Sequence, residues 1–259
     1  MIRFCSLGSG SSGNATLIEA HSGTTTSRVL VDCGFSLREL GVRLARAGVG
    51  VDQLDAVFVT HEHSDHVGCA LTLARRHRTP LWTSRGTWRA IGEPQLPIPV
   101  NFARDGEAIS VGDLQLAPYT VPHDAQEPLQ LVCSDGARRV GLLTDAGTST
   151  EHLLAHLRGC DALLLECNHD TTLLASSRYP AWLKARVGGQ LGHLSNDTAA
   201  QILAACMHDG LQHVVAAHLS AQNNRPELAL QALADTCGAA RSDMRAAGPA
   251  WGFDWIALA

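Results

Sequence analysis

Three histidines and one aspartate lie within six residues, directly after an apolar run that is typical of a buried strand. Residues 61–66 read His-Glu-His-Ser-Asp-His. With 13 histidines in 259 residues, a His-x-His-x-Asp-His pattern is expected by chance only about 0.002 times in such a chain, so the match is specific. Imidazole suits zinc, iron or manganese, and a carboxylate adds compensating charge. The spacing predicts a metal-binding turn in which His61 and His63 face one ion while Asp65 and His66 face a second.

One turn cannot complete two metal sites, so ligands from elsewhere in the chain are needed. Suitable residues each follow an apolar run, and α/β sheets place their sites at such strand ends. These residues are Asp32, His123, Asp145 and His218. A solvated polar turn is the alternative interpretation of residues 61–66, and the low chance rate of the pattern disfavours it.

The pattern of apolar residues predicts an α/β protein with mixed sheets. The predicted strands are Arg28–Cys33, Asp55–Thr60, Leu114–Val121, Leu129–Ser134, Arg139–Thr144, Ala162–Glu166 and His213–Ala217. The predicted helices are Leu37–Ala47, Val67–Arg76, Glu151–Leu157, Asp197–His208 and Glu227–Cys237. Ser195 or Asn196 is suited to cap the fourth helix. Since no stretch is long enough to be a linker, residues 1–259 are expected to form one compact domain.

Composition excludes several classes of protein. The formal charge of −5 argues against a surface coated in basic charge, although it leaves room for a local basic groove. Eight cysteines are too few for a disulfide scaffold, so we expect reduced thiols and a cytoplasmic location. No apolar stretch approaches the roughly 18 residues of a membrane span, and the first residues lack a signal peptide. No membrane partner is therefore expected, and the oligomeric state stays open.

Taken together, these residues resemble the metallo-β-lactamase superfamily of dinuclear metallohydrolases. The shared pattern consists of Asp32, the turn at 61–66, His123, Asp145 and His218. The resemblance implies a four-layer αββα sandwich with two mixed sheets and two divalent metal ions at one edge. It implies one ion held by His61, His63, His123 and Asp145, and a second held by Asp65, His66, Asp145 and His218. It also makes Asp32 a brace behind the ligand turn. Zinc suits the histidine-rich set best, with manganese or iron as alternatives.

Four further segments narrow the resemblance to the YycJ/WalJ-type branch, whose members are known or proposed as DNA exonucleases. These segments are residues 7–14, 165–170, 192–196 and 218–224. The branch implies a phosphodiesterase in which a hydroxide bridging two metals attacks phosphorus in line, with DNA as the partner. Because the implied ligands run from Asp32 to His218, the single domain would consist of two similar αβ halves, roughly 1–130 and 131–259.

A proton donor for the leaving oxygen is implied by a resemblance to the tRNA 3′-end nucleases of the RNase Z type. Those enzymes pair a glutamate at a strand end with a histidine before a helix, and the matching positions are Glu166 and His193. We expect His193 to be the general acid, oriented by Glu166, with Asp65 as a further catalytic residue. A helix-capping or core histidine is the alternative interpretation of His193.

Contacts to the nucleic-acid backbone require positive charge near the metals. Arg178, Lys184 and Arg186 lie in the segment before His193, which makes them the expected phosphate contacts. A solvated basic patch is the alternative interpretation of these three residues.

Two residues after the strand that ends at Glu166 are further candidates. Asn168 is expected to contact the substrate. His169 could either support the metal ligands or contact the substrate, and the sequence leaves that choice open.

Two other enzymatic functions use the same metal ligands. A thioester or lactone hydrolase of the glyoxalase II type would not obviously need Glu166, His193 or the basic residues between them. An RNA nuclease related to RNase Z would carry an arm that grips tRNA, and this chain has no insertion long enough for one. A non-catalytic metal-binding module is a third alternative, which a complete ligand set disfavours. The sequence therefore favours a metal-dependent DNA exonuclease.

Overall fold

Two seven-stranded sheets form the centre of the molecule. The computed structural model describes residues 1–238 and 244–259. The strands of the first sheet are β1 (Ile2–Gly8), β2 (Ala15–Ser22), β3 (Thr25–Val31), β4 (Ala56–Val59), β5 (Leu81–Thr83), β6 (Val100–Phe102) and β14 (Phe253–Ala257). In space they run β14-β1-β2-β3-β4-β5-β6. The pairs from β14 to β3 are antiparallel, and the pairs from β3 to β6 are parallel.

The second sheet is mixed in the same way. Its strands are β7 (Ile109–Val111), β8 (Leu114–Thr120), β9 (Leu129–Ser134), β10 (Arg139–Leu143), β11 (Ala162–Glu166), β12 (His213–Ala217) and β13 (Arg245–Ala246). They run β13-β12-β11-β10-β9-β8-β7 in space. The pairs from β7 to β10 are antiparallel, and those from β10 to β13 are parallel. Parallel neighbours need long crossover connections, and helices supply most of them.

The helices occupy the connections between strands. They are α1 (Leu37–Arg46), α2 (Ser64–Val67), α3 (Ala70–His77), α4 (Arg85–Ala90), α5 (Glu151–Leu157), α6 (Thr171–Ser176), α7 (Ala181–Val187), α8 (Asn196–Cys206) and α9 (Pro226–Cys237), with a 3₁₀ turn at Val51–Gln53. Ser195 caps α8, since its hydroxyl accepts from the Thr198 amide. The longest of them, α9, has 12 residues, and no helix in the described ranges is long and apolar enough to cross a bilayer.

The molecule has four layers, and one apolar cluster lies at each of the three interfaces between them. The central cluster joins the two sheets and includes Phe4 and Ile18 from the first sheet and Leu164 from the second. The neighbouring residues Cys5 and Leu17 point to the opposite face of the first sheet, where α1 and α3 cover them. This alternation follows from the two-residue period of a strand. The outer face of the second sheet packs against α5, α8 and α9. The result is the expected αββα sandwich of two mixed sheets.

The seven predicted strands all overlap observed strands, β3, β4 and β8 to β12. The prediction of one helix over Val67–Arg76 is wrong, because the chain forms two helices with a turn at Gly68. Gly68 has φ 34° and ψ −110°, and a Cβ there would lie 2.1 Å from the Cys33 carbonyl oxygen. The apolar pattern of the sequence did not predict β1, because nearly all residues of this strand are buried and its apolar and polar residues do not alternate.

Candidate metal centre

The predicted ligands lie at one edge of the sandwich, where strands of both sheets end. The 61–66 turn follows β4, Asp145 follows β10 and His218 follows β12. Asp32, Asp145 and His218 all have left-handed backbone, with φ of 62°, 53° and 54°. Side chains other than glycine seldom adopt this conformation, and such strained positions cluster at functional sites. The backbone geometry thus marks the same strand ends as the side-chain chemistry.

Three histidines form the first ligand group. The ligand atoms of His61, His63 and His123 lie within 4.8 Å of one another, with His123 Nε2 3.3 Å from His63 Nδ1. His123 Nδ1 lies 3.0 Å from the carbonyl oxygen of Gly192 and donates to it, so Nε2 presents its lone pair to the group. Burial lowers the pKa of His61 well below its ordinary value and also lowers that of His123. Both rings are therefore held in the neutral form that metal ions bind.

A second group consists of Asp65, His66 and His218. Asp65 Oδ2 lies 3.6 Å from His66 Nε2 and 3.7 Å from His218 Nε2. Asp145 joins this group to the first, because its Oδ2 lies 3.0 Å from His66 Nε2 and it also forms a cluster with His61. Ligand atoms around one tetrahedral zinc ion lie about 3.3 Å apart, given bonds of about 2.0–2.1 Å. The spacing of these atoms is close to that value.

Positive charge is favoured in this second group. Burial alone would lower the pKa of His66, but the Asp145 and Asp32 carboxylates hold it well above its ordinary value. Burial would likewise lower the pKa of His218, yet Asp145, Asp65 and Glu166 raise it to about 10. Carboxylates that stabilise an imidazolium cation would also stabilise a metal cation in its place.

Asp32 lies behind the ligand turn. Its Oδ2 accepts from His66 Nδ1 at 2.8 Å, and its Oδ1 accepts from the backbone amide and the hydroxyl of Thr60 at 2.9 Å each. This contact keeps a proton on Nδ1 of His66 and aims Nε2 at the centre. Asn14, the last residue of the 7–14 segment, approaches the other ring nitrogen of His66, with Nδ2 3.1 Å from Nε2.

Glu166 is fully buried and accepts from four donors. Its Oε1 lies 2.8 Å from His193 Nδ1 and 3.2 Å from His218 Nδ1. Its Oε2 accepts from the backbone amides of Ala146 at 2.9 Å and Leu194 at 3.3 Å. Burial alone would lower the pKa of His193, but the Glu166 carboxylate raises it above the ordinary value. The same carboxylate therefore orients both His193 and a member of the second ligand group.

A cavity of about 330 Å³ opens over these groups. His63, Asp65, Asp145, His193 and His218 line it. The segment between Glu166 and His193 contributes four more lining residues, Tyr179, Leu183, Arg186 and Val187. Tyr179 and Asp124 line the cavity although the sequence reasoning did not select them.

The basic residues are placed unequally. Arg186 lines the cavity and its Nε donates to Asp124 Oδ2 at 2.7 Å. Lys184 Nζ donates to the carbonyl oxygen of Ala175. Neither Lys184 nor Arg178 is among the residues that line this cavity. Of the three expected phosphate contacts, only Arg186 lies where a bound phosphate in this cavity could meet it.

The expectation that Asn168 contacts substrate disagrees with its position. Its side chain is buried and donates to the carbonyl oxygen of His218 at 3.0 Å, so it holds the loop that carries His218. His169 is also buried, and its carbonyl oxygen accepts from the Asn196 amide at 2.9 Å. Both residues are therefore buried, and neither is among the residues that line the cavity.

Comparison with known proteins gives the chain a family. The model of the beta-lactamase superfamily domain matches residues 27–219. Exodeoxyribonuclease YycJ of Bacillus anthracis is 32% identical over 231 residues, which cover 88% of this chain and 86% of that protein. Exodeoxyribonuclease WalJ of Streptococcus pneumoniae serotype 2 (strain D39) is 32% identical over 232 residues, which cover 88% of this chain and 85% of that protein. The metallo-β-lactamase fold protein YhfI from Bacillus subtilis superposes with a TM-score of 0.74, at 17% identity and 98% coverage of both chains.

Proposed function

This chain belongs to the β-lactamase superfamily and to the family of YycJ and WalJ, and from that premise we propose that it is a metal-dependent DNA exonuclease. The observation that carries this proposal is the convergence of two ligand groups, joined by Asp145, with His193 braced by the buried Glu166. A thioester or lactone hydrolase has no evident need for that His–Glu pair.

The residues fit a pair of divalent ions. Three buried atoms at the centre, His61 Nε2, Asp145 Oδ2 and His218 Nε2, have no hydrogen-bond partner among the described residues, which is costly unless another group satisfies them. We assign one ion to His61, His63, His123 and Asp145, and the other to Asp65, His66, Asp145 and His218. Zinc is the proposed metal because imidazole nitrogens dominate the set, with manganese or iron as alternatives. When bound, the ions supply Lewis acidity and an activated water.

His193 is proposed as the proton donor to the leaving oxygen. Its Nδ1–H donates to Glu166 Oε1, so in the protonated ring Nε2 carries the second proton. The ring is 23% exposed and lines the cavity, whereas Glu166 is fully buried. A histidine that is oriented by a carboxylate and reachable by substrate can act as general acid. Asp65 contributes to catalysis as a ligand in the second group.

Arg186 is proposed to contact a phosphate of the DNA backbone, since it is the cation of the 178–186 segment that lines the cavity. We propose that Asn168 and His169 support the site from beneath. All eight cysteines are free thiols, which agrees with the cytoplasmic location that we propose. Because the ligands come from both sheets, we propose that the chain acts as one domain of two αβ halves.

One experiment tests the proposed function. The protein loaded with zinc or manganese is incubated with 5′- and 3′-labelled single- and double-stranded DNA and RNA, and with a thioester. We expect mononucleotides to be released from DNA ends. His193→Ala should retain both metals yet lose most turnover. Thioester cleavage without nuclease activity would refute the proposal, and hydrolysis of RNA in preference to DNA would replace DNA by RNA as the substrate.

A further inference from the structure

Helix α7 carries an exposed tryptophan beside the catalytic cavity. Trp182 is 66% exposed, and it lies next to Leu183, which lines the cavity. Trp182 and Arg186 are four residues apart, so they share one face of the helix. Because Arg186 also lines the cavity, the helix face that Trp182 shares with it adjoins the cavity, although Trp182 itself is not among the lining residues.

The surroundings of Trp182 differ from those of the other strongly exposed tryptophan. Trp251 is 70% exposed, but the Arg46 guanidinium lies over its ring at 4.8 Å from the centroid. No aromatic pair or cation–π contact among the described residues involves Trp182. Most of the Trp182 side chain is therefore open to solvent, and no described aromatic ring or cation covers its indole.

Two exposed arginines flank Trp182 in the chain. Exposed Arg178 precedes the helix, and Arg186 is 57% exposed at its far end. Asp124 Oδ2 accepts from Arg186 Nε, which fixes the guanidinium at the cavity wall. A strand whose phosphate meets Arg186 would pass along a face that also offers an aromatic ring. Basic grooves with aromatic side chains are the usual means of holding single-stranded nucleic acid, because every base has a π-face.

We propose that Trp182 is a stacking platform for one base of a single-stranded DNA end, next to the nucleotide whose phosphodiester is cleaved. This inference rests on the proposed function and adds to it the means by which the end of the strand is positioned. Stacking on an indole is tolerant of sequence, so the platform would position any of the four bases.

The first test compares Trp182→Ala with Trp182→Phe, using Trp251→Ala as the matched control for loss of an exposed indole. With a single-stranded oligonucleotide as substrate, Trp182→Ala should raise KM about 5-fold to 150-fold. Trp182→Phe should restore most of the loss, since a phenyl ring also stacks. Trp251→Ala should leave KM within about twofold. Hydrolysis of bis(p-nitrophenyl) phosphate reports the integrity of the metal centre in each variant.

A second test identifies the contact as stacking on a base. Oligonucleotides that lack the base at one position near the end are compared with the intact strand, position by position. In the wild-type protein one such abasic position should raise KM, and in Trp182→Ala the same position should have little further effect. This double-mutant cycle measures the coupling between the indole and that base.

Three outcomes would overturn the inference. Equal KM values for Trp182→Ala and Trp251→Ala would show that Trp182 does not hold substrate. If, at every abasic position, the fold-changes in KM caused by Trp182→Ala and by removal of the base simply multiplied, the indole would not stack on a base. If the wild-type protein were a dimer, Trp182→Ala were a monomer, and KM rose only as the dimer dissociated, the tryptophan would join two copies of this chain.

A binding measurement separates this inference from the proposed function. With metal-loaded protein, an oligonucleotide whose phosphorothioate linkages resist cleavage should quench the fluorescence of the wild type more than that of Trp182→Phe. If metal-loaded protein cleaves no DNA, the proposed function is wrong. If it cleaves DNA but the two proteins are quenched equally, only the role of Trp182 is wrong.

Discussion

Replacing Glu166 by glutamine should impair both stability and catalysis, because four donors converge on this carboxylate. His193 and His218 donate to Oε1, and two backbone amides donate to Oε2. The glutamine amide has one acceptor oxygen, so in either orientation its NH₂ group faces a pair of donors. Two bonds to a charged acceptor are lost. At about 1.5 kcal/mol per bond, the free energy of unfolding should fall by about 3 kcal/mol.

The catalytic effect follows from the same geometry. Without the carboxylate, His193 loses the partner that fixes its tautomer and favours its protonated form, so kcat should fall by about 10²- to 10⁴-fold. Assays are run at saturating metal, because His218 loses a partner as well. Chemical denaturation and single-turnover cleavage of a labelled oligonucleotide measure the two effects.

Glu19→Gln is the matched control, since Glu19 is equally buried and belongs to β2. Arg3 and Arg28 each approach its carboxylate at 2.6 Å, so the variant should lose about 3–5 kcal/mol of stability with kcat unchanged. If Glu166→Gln also kept the wild-type kcat, Glu166 would have no role in orienting the acid, and the reasoning about His193 would be refuted.

Four other predictions test separate parts of the structure. Burial would raise the pKa of Glu19, but Arg3 and Arg28 hold it below 4.5. The loss of unfolding free energy in Glu19→Gln relative to wild type should therefore be largest above pH 4.5 and should shrink as the pH falls further. Equal losses at pH 3 and pH 7 would contradict this. Asp32→Ala removes the brace of His66 and should weaken binding of one metal ion about 10- to 100-fold in a chelator competition; unchanged affinity would exclude the brace. Arg186→Ala should raise KM for DNA and lower the salt slope of binding by about 1, and an unchanged slope would exclude a phosphate contact. Gly68→Ala should lower the free energy of unfolding by about 1–3 kcal/mol in denaturant titrations. Gly48 also has positive φ but has open space around it, so Gly48→Ala should lower that free energy less. Equal losses would show that crowding at Gly68 is unimportant.

Residues of the ligand turn could be found from sequence because their signal is local. Three histidines and an aspartate in six positions need no tertiary information to be recognised, and the strand-end residues are marked by the apolar runs before them. The structure brings Asp32, the turn, His123, Asp145 and His218 to one edge, as the parallel strands required. Glu166 and His193 also meet, at 2.8 Å, although 27 residues separate them.

Other features depended on packing that leaves no local signal. The break at Gly68 arises because the Cys33 carbonyl oxygen lies where a Cβ would be, and nothing in the neighbouring residues reveals that contact. The three basic residues before His193 look alike in sequence, yet only Arg186 lines the cavity. Asn168 was expected to contact the substrate, but its side chain is buried and donates to the His218 carbonyl oxygen.

By itself, the sequence determined the chemistry of this protein: which side chains could bind metal, and which strands carry them. A ligand set is a matter of residue type and spacing, and both are written in the chain. The tertiary structure decided which of those side chains share a hydrogen-bond partner, as His193 and His218 share Glu166, and which basic residue lines the cavity. Those properties depend on distances between segments far apart in the chain, and only the folded backbone sets them.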